Sequence, residues 1–280
     1  VEITVTGGHG FIGSATVDVG KSRGHSMRPF DRTTGNDVHY IRPEDCGDAV
    51  IHLAGMLGTA ELFDDPYAAV HENVNGTLAV IQACEVAGAK LVLIGMPMVW
   101  RNVYQTTKAC AAGLANAWME HRGLHVSHVR AFNAYGPGQH LHPVRKILPT
   151  FANAAWRGEP IEIWGSGESL VDLIYVDALA EVLVRTAEMA PGKGEVIEAG
   201  TGVGQTVNSV ADTVNHHVWL AGSATDIVHA PMRPGEAEFT DGTVATGEGL
   251  DLIGMTLADL RDPYGEAFGR TVDWYREDRP

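Results

Sequence analysis

Val1-Glu-Ile-Thr-Val-Thr-Gly7-Gly-His-Gly10-Phe-Ile-Gly13-Ser14 opens the chain. Alternating, β-branched residues over 2–6 predict a buried strand that runs straight into a glycine-rich turn and a helix start. Such a turn cradles a dinucleotide pyrophosphate. Gly7 allows the tight bend, Gly10 lets backbone N–H groups approach the phosphates, and Gly13 lets the helix lie close to the strand, with Phe11 and Ile12 between them also expected against the cofactor. A glycine triplet alone also serves as an ordinary strand-to-helix turn, so its context matters. Here a second short strand ends at Asp31, eighteen positions after Gly13. A carboxylate there accepts both adenosine ribose hydroxyls and repels a 2′-phosphate, which favours NAD over NADP; Arg32 beside it leaves NADP open.

Further along, strand patterns at 2–6, 26–30, 49–53, 90–94 and 125–131 alternate with helical patterns at 11–23, 66–87 and 103–122. Apolar strands alternating with helices predict an α/β fold, a Rossmann doubly wound parallel sheet over residues 1–133. The stretch from Asp31 to Ile51 is too short for a full strand-helix unit and is expected to be trimmed to a small turn or strand. Pro29 is acceptable only near a strand end. At Gly136-Pro137-Gly138 the alternation stops. Residues 134–280 are expected to form mainly a smaller C-terminal α/β substrate-binding lobe, with segments that complete the first domain.

With 280 residues, the chain can bury a large core. A net charge of −15 argues against nucleic acid as a partner, and it means that a diphosphate ligand has to be held by local arginines, lysines or helix N-termini. No apolar run approaches the roughly 18 residues of a membrane span, and no charged-then-apolar signal segment is present. Cys46, Cys84 and Cys110 lack metal-type spacing and read as reduced thiols, so a cytoplasmic protein is expected. His140 and His142 have no third ligand near in sequence, and no metal is expected; His52 reads as a core-edge residue. Trp100, Trp156 and Trp164 suit either stacking on a ligand or buried packing.

Tyr104-Gln-Thr-Thr-Lys108 opens the helix after the strand at 90–94. Positions four apart share a helix face, so phenol and ammonium can both point at a bound cofactor. A nearby ammonium favours phenolate, which predicts a lowered pKa for Tyr104 and a usable base at neutral pH. Lys108 can also hold the nicotinamide ribose.

These motifs together resemble the extended short-chain dehydrogenases, the NAD-dependent epimerase/dehydratase group that acts on nucleotide sugars. Thr6–Gly13 is similar to the group's opening signature, and Val50-Ile-His-Leu-Ala-Gly55 to the strand whose end, here Leu53, Ala54 and Gly55, lies against the cofactor. Asn73-Val-Asn-Gly-Thr77 resembles its central-helix motif, with Asn73 supporting sheet and active site. Arg130-Ala-Phe-Asn-Ala-Tyr-Gly-Pro137, Arg157-Gly-Glu-Pro160, Asp172-Leu-Ile-Tyr-Val-Asp177, Arg233-Pro-Gly-Glu236 and Thr271-Val-Asp-Trp-Tyr275 follow its order and spacing. The resemblance implies bound NAD that oxidises a sugar carbon, usually C4, while Tyr104 takes the hydroxyl proton. It also implies a homodimer through the helices at 66–87 and 103–122, where Ala111, Leu114, Trp118 and Met119 exceed what one core face needs.

Three departures stand out. Met96 sits where the group carries a serine or threonine that donates to the reacting oxygen, and a thioether cannot donate. Losing one such donor typically costs on the order of 10²–10³ in rate. Pro97 and Met98 replace the acid pair of the 4,6-dehydratases. Only eight positions separate Met96 from Tyr104, a shortened loop, and Val171 replaces an arginine that grips the diphosphate. Asn133, Arg145, Lys146 and Arg233 are then the expected substrate contacts. The expected activity is that of a UDP-sugar 4-epimerase. A dehydratase, decarboxylase or ketoreductase on a nucleotide sugar stays open, as does an NAD-binding sensor or assembly protein without catalysis.

Overall fold

Ile3 and Val5 are fully buried on one face of the first strand and Thr4 and Thr6 on the other. Only a sheet covered on both sides buries both sets. The computed structural model describes residues 1–99, 101–223, 225–233, 244–262 and 265–277. In chain order the first half runs β1 (Glu2–Thr6), α1 (Phe11–Ser22), β2 (Ser26–Phe30), β3 (Ala49–His52), α2 (Glu61–Asp64), α3 (Pro66–Val70), α4 (Gly76–Ala87), β4 (Lys90–Gly95), α5 (Val103–Arg122) and β5 (Val126–Ala131). The second half runs β6 (Asn133–Tyr135), α6 (Ile147–Trp156), β7 (Ile161–Trp164), β8 (Leu170–Tyr175), α7 (Val176–Met189), β9 (Lys193–Ala199), β10 (Gly204–Thr206), α8 (Val207–Leu220), β11 (Ile227–Ala230) and α9 (Glu266–Trp274).

The central sheet has the order β2-β1-β3-β4-β5-β9, and every pairing in it is parallel. Ile3, Val5, Ile51, Val92 and Val129 pack on one side with Val17 of α1 and Leu179, Val182 and Leu183 of α7. Val50, Leu91, Leu93 and Val126 pack on the other with Val80, Ile81 and Ala115 of α4 and α5. The sheet's last strand comes from 193–199, so the chain leaves this layer and returns to it.

Between β2 and β3 there is no strand-helix unit. Three short 3₁₀ turns, Arg32–Thr34, Val38–Tyr40 and Pro43–Asp45, fill the gap, as the short spacing predicts. Pro29 is tolerated because β2 is an edge strand of the sheet. The helix expected over 66–87 is not continuous. A π turn at His71–Asn75 separates α3 from α4; the extra residue per turn, a shift that apolar periodicity does not reveal, carries Asn73 into the interior.

The later segments form a second apolar cluster around Leu148, Phe151, Ile161, Ile163, Val210 and Val214. It is framed by the sheets β10-β8-β6 and β11-β7. Val171, where the family resemblance implies an arginine, is buried in this cluster. Among the described residues no helix is long and apolar enough to cross a membrane.

Candidate active site

The parallel strands all end on one edge, and the loops there collect the residues expected to act. At β1, Gly7 has φ +67°, a left-handed conformation that favours glycine, and a Cβ on it would lie 3.0 Å from the Ala54 nitrogen. A Cβ on Gly13 would collide with the Gly7 carbonyl. The first turn of α1 carries neither a side-chain cap nor an acidic residue, which leaves its N–H groups suited to receive an anion. At the end of β2, Asp31 accepts from His9 N at 3.0 Å and from the Thr33 nitrogen and hydroxyl at 2.9 Å. Burial pushes its carboxyl up, but these donors outweigh burial and hold it below the usual carboxylate range, so it is a charged acceptor. The turn, the uncapped helix and the charged carboxylate fit NAD. Arg32, in contrast, turns to Glu72 at 2.6 Å and Asp37 at 3.5 Å.

Behind this edge runs a buried hydrogen-bond chain. The Thr6 hydroxyl oxygen accepts from the Leu53 and Ala54 nitrogens at 3.1 and 3.2 Å. The Thr6 oxygen also meets His52 Nδ1 at 2.7 Å, and His52 Nε2 meets the Thr77 hydroxyl at 3.0 Å. Thr77 donates its own proton to the Asn73 carbonyl at 2.7 Å. Proton accounting therefore fixes the ring: Nε2–H donates to Thr77, and Nδ1 accepts from Thr6. His52 is neutral, its pKa pushed down to about 3 by burial and by the Lys108 charge, so it is a structural residue, in keeping with its place in the sequence.

Asn73 continues the chain. Its carbonyl oxygen accepts from Met56 N at 2.7 Å, and its amide donates to the Met56 carbonyl at 3.0 Å and the Thr107 hydroxyl at 3.1 Å. Thr107 donates to the Tyr104 carbonyl at 2.9 Å. Asn73 is thus a positioning residue that ties the β3 loop to the first turn of α5. A Cβ on Gly55 would press on its oxygen at 2.8 Å, which accounts for that glycine.

Asn102 caps α5 by accepting from Gln105 N at 2.8 Å, and Gln105 holds the Pro97 carbonyl at 3.1 Å, so the short loop after β4 is anchored at both ends. Met96 directly follows β4, Tyr104 is half-buried in the first turn of α5, and Lys108 is buried one turn on. Burial alone moves the two key groups. It pushes the Tyr104 phenol up and brings the Lys108 ammonium down to about 8. This corrects one expectation: within the protein, Lys108 does not depress the tyrosine, because desolvation dominates. Among the described residues nothing hydrogen-bonds the Lys108 ammonium.

A second cluster lies on the later segments. Pairing of β7 with β11 sets Ala230 beside Trp164 and brings Arg233 over its indole ring, guanidinium carbon 4.0 Å from the ring centroid. Arg145 approaches the same ring at 5.2 Å. Trp164 donates to Glu162 at 2.7 Å, and Glu162 lies 3.8 Å from Arg145. Lys146 is the N-cap residue of α6, an unfavourable place for a cation unless an anion is to be bound there; burial and Arg233 lower its pKa while Glu61 raises it. Glu61 lies 3.6 Å from Arg233. Arg145, Lys146 and Arg233 are therefore brought together, whereas Asn133 is exposed at the start of β6. Pro234–Glu236 of the arginine motif, and Trp100, lie outside the described residues.

Trp156 donates to the Val272 carbonyl at 2.8 Å and is a packing residue. Cys46 and Cys84 are buried and Cys110 is exposed, all as free thiols. Ala111 is buried, and Leu114, Trp118 and Met119 are half-buried against the apolar cluster that holds α4 and α5. His39, His71 and Glu72 lie close enough to share an ion. Yet both ring nitrogens of His39 are engaged, by Asp37 and the His71 carbonyl, and Glu72 holds Arg32. Glu61 and Glu72 carry no sequence signal of their own, since each matters only through a distant partner.

Comparison with known proteins agrees with this geometry. The model of the NAD dependent epimerase/dehydratase family matches residues 3–96 and 94–200. The UDP-glucose 4-epimerase of Mycolicibacterium smegmatis is 25% identical over 272 residues, covering 82% of this chain and 83% of that protein. The UDP-N-acetyl-alpha-D-glucosaminuronate decarboxylase of Bacillus cytotoxicus is 25% identical over 272 residues, covering 81% and 83%. The solved structure of MoeE5 in complex with UDP-glucose and NAD is 27% identical, with a TM-score of 0.82 and 99% of each chain covered. With over half its length matched by the family model, the chain belongs to the NAD-dependent epimerase/dehydratase family, and its cofactor is NAD.

Proposed function

We propose that the protein is a nucleotide-sugar 4-epimerase that takes a UDP-sugar and acts by transient oxidation at C4. The observation that carries this reading is the gathering of Arg145, Lys146 and Arg233 at Trp164 and the N-terminus of α6. In a chain of net charge −15, such a local cationic cluster is the feature a sugar diphosphate requires. The second lobe, mainly residues 134–280, then serves as the substrate-binding part. NAD, when bound, supplies the hydride acceptor and returns the hydride. Tyr104 takes the C4 hydroxyl proton and gives it back, and Lys108 holds the nicotinamide ribose. Met96 lines the site beside the reacting carbon and leaves Tyr104 without a hydroxyl partner. The related UDP-glucose 4-epimerase and MoeE5 support the choice of UDP-sugar.

The test is mass spectrometry of the protein incubated with NAD and a panel of UDP-, dTDP- and GDP-sugars in deuterated water. An epimer of unchanged mass supports the reading. Loss of water or CO₂ moves the assignment to dehydratase or decarboxylase, and no product with NAD bound favours a non-catalytic binding role. Tyr104→Phe is expected to lower kcat by about 10²–10⁴.

Homodimerisation through 66–87 and 103–122 is part of the proposal. Tyr67, Val70 and Val86 are exposed on α3 and α4, beside a small-residue face of Ala109, Cys110, Gly113 and Ala117 on α5 that allows close helix approach. Sedimentation showing only monomer at micromolar concentration would remove this part.

A further inference from the structure

Arg32 follows the ribose carboxylate Asp31 directly, where a guanidinium could meet a 2′-phosphate. Its side chain is instead drawn to the π turn. Arg32 Nη2 lies 2.6 Å from Glu72 Oε2 and 3.5 Å from Asp37 Oδ2. Asp37 is itself fixed, accepting from the His39 nitrogen at 3.0 Å and from His39 Nδ1 at 2.7 Å. His39 Nε2 donates to the His71 carbonyl at 3.1 Å, and the two imidazoles stack with centroids 4.1 Å apart and planes 8° from parallel. Glu72 is thus set by the residue before it, in the same turn that buries Asn73 after it.

We propose that Glu72, backed by Asp37, determines cofactor choice by holding Arg32 against the π turn. The guanidinium is neutralised by two carboxylates before any cofactor arrives. A 2′-phosphate would then meet the negative charges of Asp31, Asp37 and Glu72 with no unpaired guanidinium to offset them. Asp31 alone would leave discrimination to a single carboxylate; the tether removes the adjacent guanidinium that could reverse it.

Direct binding of NADH and NADPH, followed by nicotinamide fluorescence on Asp31→Ser, Glu72→Gln and the double variant, tests this independently of the sugar substrate. Glu72→Gln alone is expected to change NADPH affinity by no more than about threefold, because Asp31 still repels. The double variant is expected to bind NADPH about tenfold more tightly than Asp31→Ser, the worth of one charge-assisted contact at a partly exposed site. Adding Arg32→Ala should cost about tenfold in the double variant and little in Asp31→Ser. A double variant that binds NADPH no better than Asp31→Ser overturns the inference, as does a gain that survives loss of Arg32. Wild-type protein that binds neither nucleotide overturns the cofactor site and the inference together, whereas failure of the sugar reading leaves both untouched.

Discussion

Replacing Lys108 with methionine is expected to stabilise the cofactor-stripped protein while removing its function. Burial lowers the Lys108 pKa from the usual 10.5 to about 8, and only 8% of the residue is exposed. At neutral pH the charge is retained in folded and unfolded chain alike, so folding carries the full desolvation penalty. A shift of this size corresponds to about 3 kcal/mol. The sign follows from proton binding. Below pH 8 both states hold the proton and the penalty is complete. Between about 8 and 10.5 the folded state releases it while the unfolded state keeps it, so wild-type stability rises with pH and the advantage of the variant shrinks. Lys108→Met should therefore be more stable by about 3 kcal/mol at pH 7 and by only about 1 kcal/mol at pH 9.5, a gain in Tm at pH 7 of roughly 6–12 °C. Urea unfolding of the stripped proteins at both pH values measures it, with NADH fluorescence reporting the lost ribose contact. A variant less stable than wild type at pH 7, or an advantage equal at the two pH values, would show that the buried ammonium carries no such penalty.

Gly13→Ala places a methyl against the Gly7 carbonyl, so NADH binding should be lost; fluorescence affinity within threefold of wild type would contradict the close strand-helix contact. Asn73→Leu strands the Met56 nitrogen and carbonyl and releases Thr107, an expected loss of about 2–4 kcal/mol in urea unfolding, with kcat falling more than KM rises. His39 is lowered by burial, but Asp37 and the His71 carbonyl outweigh this and hold its proton above the usual range, with Glu72 adding to them and Arg32 lying across Asp37. Its contribution is complete below the ordinary histidine pKa and is lost as pH rises through the raised value. The stability difference between wild type and His39→Gln should accordingly shrink from pH 6 to pH 9, and a difference that grows would refute the assignment.

Most of the cofactor half is legible in the amino-acid sequence. The strand at 2–6, the glycine turn, the carboxylate after the second strand and the Tyr104/Lys108 spacing are local patterns, and the trimmed unit after Asp31 is a matter of length. The relation between the dyad residues is less legible. Four positions on a helix place phenol and ammonium on one face, but their pKa values depend on how much protein surrounds them, and desolvation overrides proximity. How the α5 residues Leu114, Trp118 and Met119 divide between core and surface is illegible for a related reason, since periodicity does not say how wide a buried face is.

By itself the sequence determined five of the six strands of the parallel sheet and the glycine-rich turn after the first, because backbone conformation and apolar alternation act over a few neighbouring residues; the sixth strand, Lys193–Ala199, it did not show. Only the tertiary structure decided that Asn73 joins the β3 loop to α5, that Glu72 holds Arg32, and that Trp164 carries two arginines. Those partners lie far apart in the chain. Hydrogen bonds and charge pairs between them exist only once packing has brought them within a few ångströms and excluded the water that would otherwise screen them.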